Sequence, residues 1–176
     1  MIFENAQIMG VVIITPQLFR DERGSFSEIF RMDEFAKHGI PRTFAQENCS
    51  LSQKGVLRGL HFQDPPQGKL VWVAHGEAFD VAVDIRPGSP TFGKHVSLIL
   101  SGRDRRMLYI PEGFAHGFLA LTDDTVFCYK CTAYYSPASQ MGIRWDDPAL
   151  GIEWPCYPRY LSEKDANLPT LRELLG

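Results

Sequence analysis

Apolar residues along this chain fall in short runs. Continuous or alternating runs appear at Val11–Thr15, Ser25–Arg31, Leu70–Ala74, Ala78–Ile85, Val96–Leu100, Met107–Ile110 and Val126–Tyr134. Each is bounded by Gly, Pro, Asp or Ser, the residues that suit tight turns. Around position 80 the period is two: Asp80, Ala82 and Asp84 alternate with Val81, Val83 and Ile85, as on a strand with unlike faces. Pro87-Gly-Ser-Pro90 is a strong turn signal. Two short helices are predicted, Met32–His38 stopped by Gly39 and Thr170–Leu175 with Thr170 as N-cap. Short strands at close spacing with little helix predict an all-β sandwich or barrel.

The pattern changes after Ser136. Pro137, Pro148, Pro155, Pro158 and Pro169 fall there, and proline, lacking a backbone N–H, stays out of central strands. Trp145, Leu150 and Trp154 offer apolar anchors, so this region reads as ordered loop laid against the strands. With 176 residues and no repeat or low-complexity linker, residues 1–176 read as one domain.

A formal net charge of −3 gives no general attraction to nucleic acid or to an anionic membrane surface. No apolar run approaches the ~20 residues a membrane span needs, and Met1 to Gly10 lacks the basic and apolar regions of a signal peptide. The expectation is a soluble cytoplasmic protein with neither nucleic-acid nor membrane partners. Cys128 and Cys131 form a lone C-x-x-C. Residues three apart on a strand point to opposite faces, so they read as structural thiols rather than a metal pair.

Of five histidines, His38, His75 and His95 sit at a helix stop, a strand end and a turn. His61 and His116 lie in Gly-punctuated stretches, Gly55-Val-Leu-Arg-Gly-Leu-His-Phe-Gln63 and Ile110-Pro-Glu-Gly-Phe-Ala-His-Gly-Phe118. These resemble the paired motifs of the cupin superfamily. In metal-binding cupins the first motif carries H-x-H and then a Glu; here the second His is Gln63 and Asp64-Pro-Pro-Gln67 holds no Glu. His61, Gln63 and His116 make a poor transition-metal set, so no metal is expected.

Further segments extend the likeness over nearly the whole chain: Gly76-Glu-Ala-Phe-Asp-Val-Ala-Val-Asp-Ile-Arg86, Gly88-Ser-Pro-Thr-Phe-Gly93, Tyr134-Tyr-Ser-Pro137, Arg144-Trp-Asp-Asp-Pro148, Leu150-Gly-Ile-Glu-Trp-Pro155 and Leu161-Ser-Glu-Lys-Asp165. Together and in this order they resemble the dTDP-4-dehydrorhamnose 3,5-epimerase family. The resemblance implies a cupin-type jelly-roll β-barrel with a few short helices and a Pro-rich C-terminal wrap, assembled as a homodimer. It implies a dTDP-linked 4-keto-6-deoxy sugar as substrate, inverted at C3 and C5 with no cofactor. Inversion at C3 or C5 only, on a related nucleotide 4-ketosugar, or a sugar-binding or metal cupin without epimerase activity, are the alternatives.

By the same resemblance His61 is the general base, Asp165 the carboxylate that orients it, Lys69 the cation near the C4 oxygen and Tyr129 the proton donor on the far face. A C4 ketone acidifies the hydrogens on both neighbouring carbons, which explains this choice of groups. Arg23 and Arg58 correspond to diphosphate contacts, for which the planar guanidinium fork is suited. Gln46 and Asn48 correspond to polar contacts, Tyr135 to a ring stacked on thymine, and His116 to the wall of the sugar pocket. The Arg23 segment is expected to reach the neighbouring subunit's site. Arg58 and His61, three apart, share a face only if Gly59 permits a bulge. The loop between His61 and Lys69 is two residues shorter than the usual family pattern, which leaves Lys69 on its expected face.

Overall fold

The computed structural model describes residues 1–175. The strands are β1 (Ile2–Asn5), β2 (Val12–Thr15), β3 (Phe19–Asp21), β4 (Gly24–Phe26), β5 (Gln46–Ser52), β6 (Leu57–Gln63), β7 (Lys69–His75), β8 (Glu77–Asp84), β9 (His95–Ser101), β10 (Met107–Ile110), β11 (Phe114–Ala120), β12 (Thr125–Cys131) and β13 (Gln140–Gly142). The helices are α1 (Met32–Lys37), α2 (Glu163–Ala166) and α3 (Leu171–Leu175). The protein is mostly β with a few short helices, as the run lengths predicted.

The strands form a six-stranded sheet in the order β1-β2-β10-β7-β12-β5, a five-stranded sheet β13-β6-β11-β8-β9, and the separate hairpin β3-β4. Val71, Val73, Leu108, Ile110 and Phe127 of the larger sheet meet Ala78, Ala82, Leu100, Phe114 and Phe118 of the smaller one in a common core. Phe118 and Phe127 stack with ring centroids 3.9 Å apart across that core. Alternation along paired strands puts these residues on the inner faces.

Both outer faces are also covered in part. Phe35 of α1 and Ile40 pack on Val12, Ile14, Leu70, Met107 and Tyr109 of the larger sheet. On the smaller sheet, Ile143, Leu150 and Leu171 pack against Leu60, Val81, Val83 and Ala115, and Trp145 against Leu57 and Leu119. β8 is therefore buried on both sides, and Asp80 and Asp84 are fully buried. The period of two around position 80 was a pattern of small and charged side chains, not of a solvent-facing side.

Three expectations change. The sheets share no ladder among the described residues, so the closed barrel becomes an open pair of sheets. Gln46 and Asn48 on edge strand β5 and Gln140 on edge strand β13 line one cleft, and on that side the sheets part around it. The strand expected over Ser25–Arg31 extends only to Phe26, in a hairpin without further partners; Arg31 already caps α1. The strand expected to reach Tyr134 ends at Cys131, where its neighbours begin at Gln46 and Lys69.

Candidate active site

The site is built on an irregularity in β6. His61 stands opposite His116 on β11, and Arg58 opposite Phe118. Three steps on one strand match two on the other, so the ladder carries an extra residue at Gly59–Leu60. That bulge turns both Arg58 and His61 into the same cleft. Only glycine fits there. Gly59 has φ +127°, and a Cβ on it would lie 2.5 Å from the Gly117 Cα.

The bulge also presents the Gly59 N–H to Asp165, whose Oδ2 accepts it at 3.3 Å. The other carboxylate oxygen, Oδ1, lies 2.6 Å from His61 Nε2. Asp165 is set by α2: Ser162 caps the helix and its Oγ accepts the Asp165 N–H at 3.0 Å. Burial pushes the Asp165 carboxyl up, but the His61 ring and the Gly59 and Ser162 hydrogen bonds prevail and hold it below the usual carboxylate range.

Opposite this pair lies a second one. His116 Nε2 is 2.8 Å from Asp80 Oδ1, and the Asp80 Oδ2 is buried without a partner. Burial lowers the His116 pKa against the opposing pull of Asp80, with Lys69 and His61 adding to the lowering. Lys69, at the start of β7, is likewise lowered by burial, while Cys131 and Asp80 act to raise it. Tyr129 points into the cleft from β12, and burial raises its phenol above the usual value.

The cleft measures about 920 Å³. His61, Lys69, Tyr129, Asp165, Gln46, Asn48, Arg58, His116 and Tyr135 all line it. Arg23 does not: it lies in the β3–β4 turn, paired with Asp21 and 85% exposed. The two cysteines of C-x-x-C part as their spacing required. Cys131 faces the cleft, while Cys128 turns to Cys49 on β5, with the sulfurs 3.5 Å apart. Among the described residues no three His, Cys, Asp or Glu are grouped to hold an ion.

Sequence reasoning missed Asp80, Gln140 and Lys164. Gln140 Oε1 accepts from the Tyr135 hydroxyl at 2.8 Å and from Lys164 Nζ at 2.6 Å. The signal for Asp80 was a carboxylate set among apolar neighbours, which needs a buried partner.

A histidine backed by a buried carboxylate lines one open cleft between two sheets with a phenol and an ammonium, in a fold that is cupin-like. Comparison with known proteins makes the class particular. The model of the dTDP-4-dehydrorhamnose 3,5-epimerase family matches residues 5–173, and the chain belongs to that family. The dTDP-4-dehydrorhamnose 3,5-epimerase of Salmonella typhimurium is 52% identical, over 99% of this chain and 98% of its own. That of Methanothermobacter thermautotrophicus is 50% identical, over 97% and 95%. Among solved structures, the Legionella pneumophila dTDP-6-deoxy-D-glucose-3,5-epimerase in complex with dTDP-4-keto-L-rhamnose is 51% identical, with TM-score 0.93 over 97% of this chain and 92% of that one. ChmJ, a 3'-monoepimerase from Streptomyces bikiniensis in complex with dTDP-quinovose, is 37% identical, with TM-score 0.90 over 97% and 89%.

Proposed function

We propose that this chain is a dTDP-4-dehydrorhamnose 3,5-epimerase, converting dTDP-4-dehydro-6-deoxy-D-glucose to dTDP-4-dehydro-L-rhamnose. The observation that carries the mechanism is the 2.6 Å contact of His61 Nε2 with Asp165 in the cleft that also holds Lys69 and Tyr129. Asp165 accepts a hydrogen bond from the Nε2–H, which leaves the Nδ1 lone pair to remove a proton from the carbon beside the ketone. The electron pair passes into the C4 oxygen as an enolate, and Lys69 stabilises the charge. Tyr129, kept protonated by burial, returns a proton from the opposite face, and the carbon is inverted. The cycle repeats at the other carbon, and the displaced protons exchange with solvent.

In this reading Arg58 meets the diphosphate, Gln46 and Asn48 the polar groups nearby, Tyr135 the thymine and His116 the sugar. Residues 1–176 act as one jelly-roll domain with a Pro-rich C-terminal wrap, and Trp145 and Leu150 on the smaller sheet support that wrap. The protein works as a cytoplasmic homodimer. Its four free thiols suit a reducing compartment, and the exposed Phe19 and Phe26 beside Arg23 suit a hairpin that reaches a neighbour's site. No helix among the described residues is long and apolar enough to cross a membrane.

Incubation with dTDP-4-keto-6-deoxy-glucose in D₂O, coupled to a rhamnose-forming reductase, tests the activity. Rhamnose product with deuterium at C3 and C5 is expected. The likeness to a 3'-monoepimerase keeps single inversion as the second reading, and product inverted with deuterium at C3 alone selects it.

A further inference from the structure

Gln63 stands where metal-binding cupins carry a ligating histidine, and the reaction proposed above gives it no part. Yet it is only 7% exposed, and a buried amide needs partners. Its Nε2 donates to the Tyr134 carbonyl at 3.0 Å and to the Pro65 carbonyl at 3.3 Å. Its Oε1 accepts from the Ser136 N–H at 3.3 Å. The side chain is thus committed to backbone groups, and two of them flank Tyr135.

That stretch has no strand ladder to hold it. β12 ends at Cys131, and neither the Tyr134 carbonyl nor the Ser136 N–H has a backbone partner among the described residues. The Tyr135 N–H donates to Gln46 Oε1 at 2.7 Å, so its main chain is caught between two glutamines from opposite walls of the cleft. The short loop after β6 is bound to the same stretch. Gln67 Nε2 donates to the Ala133 carbonyl at 2.6 Å, and the Gly68 N–H to Thr132 Oγ1 at 2.9 Å. The stretch leading into Tyr135 is therefore also held by the loop between β6 and β7.

We propose that Gln63 is a positioning residue for Tyr135: by clamping the main chain on either side, it holds the aromatic ring in place for a nucleotide base and so sets nucleotide affinity. This rests on the reading that the cleft takes a dTDP-linked sugar. None of Gln63's hydrogen bonds goes to His61, Asp165, Lys69 or Tyr129, so the clamp bears on binding and leaves the chemical step alone. An ordered ring binds more tightly because less freedom is lost when the base stacks.

The test is a double-mutant cycle read by calorimetric titration with dTDP. Gln63→Met keeps size and burial but cannot donate and accepts only weakly. It is made in the wild-type and in the Tyr135→Ala protein, and folding is checked by circular dichroism. Loss of one or two net hydrogen bonds should raise the dTDP Kd and the KM about fivefold, with kcat within about twofold of wild type. In the Tyr135→Ala background the same change should leave the Kd within about 1.5-fold, because the ring it positions is gone. Gln63→Leu, which also lacks these hydrogen bonds and adds no charge, should show the same pattern and serves if the Met variant does not fold. An unchanged Kd, an equal effect in both backgrounds, or a fall in kcat at constant KM overturns the proposal. A wild-type protein that binds dTDP but epimerises nothing overturns the epimerase reading alone, and the cycle still decides the clamp. A wild-type protein that does not bind dTDP overturns both.

Discussion

Two histidines face each other across one ladder, each with an aspartate at hydrogen-bond distance, and the two pairs are differently built. The His61 side chain is 24% exposed, and its partner Asp165 comes from α2, outside both sheets. The His116 side chain is 8% exposed, and its partner Asp80 lies fully buried on the neighbouring strand β8. Asp165 has both oxygens engaged; Asp80 has one buried and unpartnered. The same two residue types thus make a pair open to the cleft and a pair sealed into the wall. A base must reach its substrate and exchange its proton with solvent, and the more exposed first arrangement favours this. The second keeps His116 neutral by desolvation and gives the cleft a fixed polar wall beside Lys69.

The hardest test of that contrast acts on the first pair. His61→Asn should keep the fold and lower kcat by at least the ~10²–10⁴-fold typical of losing a general base. Turnover near wild type would move the base elsewhere, and His116 would be the first residue to try. Asp165→Asn should cost about 10²-fold, less than loss of the ring itself, because the imidazole remains while its orientation and its cationic form lose support.

Next in size is the phenol across the cleft. Tyr129→Phe removes one oxygen and keeps the ring. Deuterium from D₂O should still enter the substrate through His61, while inverted product falls steeply, by about 10²-fold. Doubly inverted product at the wild-type rate would make Tyr129 a wall of the pocket only.

Stability against pH separates the pairs without any substrate. The folded His116 pKa lies below its ordinary 6.5, so on acidification the unfolded chain takes up this proton first. Stability should therefore fall as the pH drops below about 6.5, until the folded value is passed. The folded Asp165 pKa lies below its ordinary 3.8, so its contribution is complete above about 4 and is lost as the pH falls through the folded value. Urea denaturation midpoints across pH 3–7 should show two separate windows, and His116→Gln should flatten the upper one alone. A slope that survives this change would assign it to another group. The smallest effect is expected from chelation. Dialysis against EDTA should leave the rate unchanged, since Gln63 has replaced a ligand and its amide is bonded to backbone groups. Activity that disappears with chelator and returns with a divalent ion would make the facing histidines a metal site.

Strands with plain apolar runs were legible to within a residue or two, as at Met107–Ile110 and Leu70–Ala74. The strands that hold most of the site were less so. β5, Gln46–Ser52, is polar at most positions, and β6 and β11 are broken by Gly59 and Gly117; such segments read as loops because the features that make a cleft erase strand periodicity. The bulge at Gly59 was legible, since the family likeness put Arg58 and His61 on one face and a glycine lies among the two residues between them. Asp165 as partner of His61 was legible only through likeness to a family, for nothing local links residues so far apart. Asp80 was passed over because an aspartate alternating with valines also fits a solvated strand face, and its apolar setting pointed to a buried partner without naming His116. Arg23 matched a diphosphate-binding position, but within one chain it lies outside the cleft.

The carboxylate behind His61 arrives 104 residues after it, on a four-residue helix tied to β6 by the Leu57–Tyr160 and Gly59–Asp165 hydrogen bonds. All eleven strands of the two large sheets precede residue 143. During synthesis both sheets can therefore close around the cleft while the base still lacks its partner. In the proposed mechanism the His61–Asp165 pair is completed only when the segment around residue 165 docks on β6, so appearance of activity would report that docking rather than formation of the core.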